Sequence, residues 1–95
     1  MVTFDPYDER YEPVSASCTD SELTVVLKDG RHISAPLWWY PTLHRATPEQ
    51  RANYEIMPLG IHWPDIDEDI SVRGLMLGNK APNAVPPVKV PEPAE

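Results

Sequence analysis

Asp65, Asp67 and Asp69 stand at alternate positions in the run Pro64-Asp65-Ile66-Asp67-Glu68-Asp69, with His62 just upstream. A D-x-D-x-D spacing supplies the first three oxygen ligands of a calcium loop, and a neighbouring histidine can serve as a base or a nitrogen ligand. The match ends there. Ile70 stands where that loop turns sharply on glycine, and Met76 stands where a bidentate glutamate closes it. The residues instead predict a turn started by Pro64 and an acid-rich helix N-terminus, where carboxylates satisfy free N–H groups and complement the dipole. On strand alternation His62 faces away from Ile61 and Trp63, on the open side of a sheet and without an evident partner. A divalent cation or small molecule held by His62 and the 65–69 segment is the alternative.

Other catalytic chemistry finds little support. Cys18 is the only cysteine, which excludes an intrachain disulfide and a cysteine-rich zinc site. It falls in an expected strand, where a free thiol packs as a small hydrophobe. His32 and His44 belong to separate elements, no serine lies in a Gly-x-Ser-x-Gly elbow, and the four glycines form no phosphate loop. No catalytic residue and no cofactor are assigned. The remaining chemistry-bearing group is Trp38-Trp39-Tyr40. On an extended segment the two tryptophans point to opposite sides, so one is exposed as an interface anchor or covers a satellite core with Leu43 and Trp63.

Fifteen acids against eight Lys and Arg give a formal charge of −7, and the basic residues are scattered singly. That balance argues against binding nucleic acid or an anionic membrane, and it favours solubility and basic partners. The acidic start of the chain carries no signal-peptide pattern and no apolar run is long enough to span a membrane, so a cytoplasmic location is expected.

The elements that must position these groups follow from local pattern. Residues 1–12 are expected to form a flexible arm, with Phe4, Tyr7 and Tyr11 available to pin it. Val14, Ala16 and Cys18 alternate with Ser15 and Ser17 as a first strand. Leu23-Thr24-Val25-Val26-Leu27 reads as a second and Arg31 to Ala35 as a third, joined through Asp29-Gly30 as a type I′ turn. Pro41 can start a short helix, and Thr47-Pro48-Glu49-Gln50 is a capping box opening a helix to about Tyr54. Ile56-Met57 and Ile61-His62-Trp63 read as a further hairpin. Asp69 is expected to cap a helix over 70–77 that ends on Gly78, although the apolar spacing there also permits a strand. Residues 79–95, with Pro82, Pro86, Pro87, Pro91 and Pro93, read as a disordered tail without PxxP spacing. The result is one α+β domain over 13–78: a small antiparallel sheet, a meander plus a further hairpin, with two or three short helices.

Leu23 to Arg31, Pro36-Leu37-Trp38-Trp39-Tyr40-Pro41, Ala46 to Asn53 and Gly60 to Val72, in this order and spacing, resemble the bacterial domain of unknown function 2442. The likeness spans about Val14 to Gly78, with the Ile56-Met57-Pro58-Leu59 link abbreviated. The resemblance implies a small α+β fold with no established catalytic residue or cofactor. It also implies frequent encoding beside another small protein, as in toxin–antitoxin pairs. Together the readings predict a non-enzymatic interaction module, an acidic, antitoxin-like partner of a small basic protein, with self-association open to it. Its expected contact residues are Trp38, Trp39, Tyr40, His62, Asp65, Asp67, Glu68 and Asp69.

Overall fold

The computed structural model describes residues 8–86; Phe4 and Tyr7 and prolines 87, 91 and 93 lie outside them. Two three-stranded antiparallel sheets contribute to one core, one ordered β1(Pro13–Cys18)-β2(Glu22–Leu27)-β3(His32–Pro36), the other β4(Glu55–Met57)-β5(Gly60–Trp63)-β6(Glu68–Ser71). Between them run a 3-10 turn, Leu37–Trp39, and helices α1(Pro41–His44) and α2(Pro48–Ala52). Helix α3(Val72–Leu77) closes the order. The α+β class stands: the meander is one sheet, and the further hairpin, joined by β6, is a second.

The first sheet follows its alternation on β2, where Leu23, Val25 and Leu27 are buried. On β1 the register slips between Pro13 and Ser15, so Val14 turns outward and Pro13 and Ala16 face in. A bulge adds one residue, and one residue reverses the face of the side chains before it. At the β2–β3 turn only Gly30 has a positive φ, +94°, and its N–H donates to the Leu27 carbonyl. Asp29 does not enter the left-handed region that type I′ demands, so the turn is a three-residue loop closed by a left-handed glycine.

The Thr47 capping box forms as the sequence predicts: the Gln50 N–H donates to Oγ1 and the Thr47 N–H donates to Oε1 of Gln50. The helix stops at Ala52, two residues short of expectation. The Arg51 carbonyl at its end accepts from the indole N–H of fully buried Trp63, at 3.0 Å. Trp63 thus sits in the one main core, with Leu23, Leu37, Leu43, Ile61, Ile70 and Leu75, rather than in a satellite.

Residues outside the expected domain are also placed. Glu9–Tyr11 form a 3-10 turn against the β2–β3 hairpin, where the Lys28 and Asp29 N–H groups donate to the Glu12 and Arg10 carbonyls. Past Gly78 the chain folds back, and the Ala81 N–H donates to the Trp39 carbonyl. Segments 8–12 and 79–81 therefore make contacts beyond the 13–78 domain that the sequence predicts.

Candidate functional site: an acidic hairpin beside an apolar cleft

β5 and β6 pair Gly60 with Ser71, Ile61 with Ile70, His62 with Asp69 and Trp63 with Glu68, and β4 adds Glu55 opposite His62 and Met57 opposite Gly60. Directly opposed residues share a face. Ile61, Trp63 and Ile70 therefore line the core side, while Glu55, Met57, His62, Asp69 and Ser71 share the open side. Gly60 makes this packing possible. A Cβ there would lie 2.5 Å from the Ile70 carbonyl oxygen.

The acidic run is the loop of this hairpin. Pro64 to Asp67 turn the chain, Asp67 sits in the left-handed region at φ 51°, and β6 starts at Glu68. The expected acid-capped helix N-terminus is therefore corrected. Residues 68–71 are strand, and α3 is capped by Ser71, whose Oγ accepts from the Gly74 N–H at 2.8 Å. The helix and strand readings of 70–77 each hold for part of the segment, with Gly78 in the left-handed C-cap as expected.

His62 lies on the open face and has a partner across the sheet: its Nδ1 is 2.8 Å from Oδ1 of Asp69. Asp67 completes a cluster in which one ligand atom from each of the three residues lies within 4.8 Å of the others. Asp65 points elsewhere, accepting from the Asn53 amide at 3.0 Å. Glu68 belongs to the other side of the strand and is half-buried. Burial raises its carboxyl above the ordinary range, and the charges of Asp69 and Asp67 add to this against the Asp69 backbone N–H.

The aromatic group is not extended. In their 3-10 turn Trp38 and Trp39 are both half-buried, ring centroids 6.4 Å apart at 76°, and Tyr40 enters the core. Tyr40 is thus removed from the expected contact surface. Its hydroxyl donates to the Asn79 carbonyl at 3.3 Å, and burial, then Glu68, push the phenol up to about 12.

A family described as "Protein of unknown function (DUF2442)" matches residues 13–81. The chain belongs to the DUF2442 family. A protein of unknown function from Rhodospirillum rubrum is similar in structure, with TM-score 0.66 and 27% identity, covering 77% of this chain and 93% of that one. An uncharacterized protein from Chromobacterium violaceum shares the fold, with TM-score 0.66 and 24% identity over 76% of this chain and 70% of that one. No curated protein matches.

Two features of the DUF2442 chain escaped the sequence reading. The first is an apolar cleft of about 400 Å³, lined by Met57, Pro58, Leu59, Ile61 and Ile70 and bounded by Asp69. Met57 and Leu59 are 47% and 50% exposed, beside the cluster of His62, Asp67 and Asp69. Two apolar residues around a Pro58 turn are the signal that could have found it. The second is Lys80, whose Nζ lies 5.0 Å from the Trp39 ring centroid and 6.0 Å from that of Trp38. Only the fold-back of 79–81 creates that contact. A larger cavity, about 490 Å³, contains Cys18, Arg51 and Tyr54. Burial raises the Cys18 thiol, with Arg51 opposing, which keeps it in its unreactive protonated form. Among the described residues no helix is long and apolar enough to cross a membrane.

Proposed function

We propose that this DUF2442 protein is a non-enzymatic, cytoplasmic interaction module that receives a basic protein partner, as an antitoxin does. The observation that carries this reading is the apolar cleft at the β4–β5 turn, bounded by Asp69 and adjoining Asp67. Exposed apolar surface rimmed by charge favours a protein contact, with burial supplying affinity and carboxylates steering and selecting a basic surface. The formal charge of −7 supports the same sign of partner.

The test is co-expression with the product of the adjacent gene, followed by association kinetics. Met57→Ala with Leu59→Ala is expected to speed dissociation at every salt concentration. Asp67→Asn with Asp69→Asn is expected to slow association and to flatten its salt dependence. No complex, or a complex indifferent to both pairs, overturns the proposal.

A second reading rests on the cluster itself. Zinc bonds of about 2.0–2.2 Å to nitrogen and oxygen set ligand atoms roughly 3.3 Å apart in a tetrahedron. The ligand atoms of His62, Asp67 and Asp69 lie within 4.8 Å of one another, and the His62 Nδ1–Asp69 Oδ1 pair, at 2.8 Å, would have to open to admit the ion. Calorimetric titration with Zn²⁺ or Mn²⁺ would then show saturable one-site binding, lost in His62→Ala. Weak binding that survives this substitution would reduce the cluster to ordinary acidic surface.

A further inference from the structure

The two tryptophans form a corner rather than a stack, with their planes 76° apart, and one cation faces both rings. That cation belongs to the chain's own Lys80, on an exposed segment returning from α3. Two hydrogen bonds anchor the return, Ala81 N–H to Trp39 O at 2.9 Å and Tyr40 Oη–H to Asn79 O at 3.3 Å. The segment also walls a cleft of about 290 Å³ with Glu68, Asp69 and Ser71 on its far side. Lys80 therefore faces the aromatic corner and also lines a cleft shared with the acidic strand β6.

We infer that the Trp38–Trp39 corner receives a lysine or arginine side chain of the partner, and that Lys80 occupies this place in the free protein. The inference rests on the interaction reading above and names one contact of that partner. Ring faces attract cations through their quadrupole, and the corner offers two faces to one charge. The adjoining cleft, where Lys80 shares the lining with Glu68 and Asp69, is favourable for a second basic group, whereas Trp38 also borders a cleft with His44 and Arg45. Lys80 shows which chemistry the corner accepts. As a single exposed lysine, it can be displaced by a cation that brings further contacts.

The test follows the indole N–H resonances of Trp38 and Trp39 in the full chain while N-acetyl-arginine amide is added, with N-acetyl-glutamine amide as the neutral control. In Lys80→Gln the arginine probe is expected to half-saturate at a concentration about two- to fivefold lower than in the parent. Lys80→Arg should restore the parent response, and the neutral probe should move neither resonance. Equal response in parent and Lys80→Gln, no response in either, or equal response to both probes overturns the inference. Indole shifts that follow protein concentration instead would assign the corner to a second copy of the chain and overturn it too. None of these outcomes touches the cleft at Met57 and Leu59, whose partner test stands or fails separately.

Discussion

Gly60→Ala tests the strand approach on which the acidic face depends. The added Cβ would lie 2.5 Å from Ile70 O, 3.1 Å from Ser71 Cα and 3.2 Å from Ile70 C, all backbone of β6. Real Cβ contacts do not fall below 3.0 Å, so β6 must retreat by at least about 0.5 Å. No side chain can rotate away to absorb this. Overpacking of this kind costs about 1–3 kcal/mol. For a domain of this size that corresponds to a fall in melting temperature of about 5–20 °C. The His62–Asp69 contact at 2.8 Å lies two pairs along the same ladder and should loosen with it. Calorimetry gives the melting temperature, and the ¹⁵N shifts of the His62 ring report the hydrogen bond. Gly74→Ala is the internal control. Its Cβ would crowd Ser71 Oγ, at 2.8 Å, which can turn aside, and would touch Asn79 Cβ at an ordinary 4.0 Å. That variant loses part of a cap and gains helix propensity, so its net change should stay within about 1 kcal/mol. A fall below about 3 °C for Gly60→Ala, with the His62 signals unchanged, would refute the close approach.

Three further outcomes follow from the same geometry. The folded Tyr40 phenol holds its proton to about 12 against an ordinary 10.0, so between these values the folded state binds more protons than the unfolded. Stability is then full below pH 10 and falls by about 2–3 kcal/mol as pH rises through 12; Tyr40→Phe should flatten that limb in denaturant titrations. Burial raises Glu68 also, so its contribution is fully present below its unfolded pKa and is lost as pH rises through the folded one. Glu68→Gln should raise the neutral-pH melting temperature and remove that part of the pH dependence. Asp67→Gly removes a side chain held at φ 51° and should stabilise by up to about 1 kcal/mol, while abolishing any one-site zinc binding seen calorimetrically.

Much of the site's raw material was legible because local rules fix it. His62 opposite the core face of β5 follows from period-two alternation, and the acids stand out in any reading of the chain. Their arrangement was hidden in β6. Residues 68–71 are a strand because Ile70 pairs with Ile61 across the β5–β6 hairpin, an inter-strand contact that capping arguments along one segment cannot anticipate. Local pattern therefore places Asp69 at a helix cap, whereas the strand sets it opposite His62.

Sequence alone determined the α+β class, the β2–β3 hairpin, the Thr47 capping box, the glycine stop at Gly78 and the family. Each is written in short-range pattern or in ordered motifs. Tertiary structure decided which faces meet. It turned Val14 outward through a bulge, drew Tyr40 into the core, set Asp69 against His62, and brought Lys80 onto the tryptophans. These depend on strand pairing within the β5–β6 hairpin, on contacts between residues distant in the chain, or on the insertion of a single residue. None leaves a periodic trace, because the energy that selects them comes from surfaces that meet only after folding.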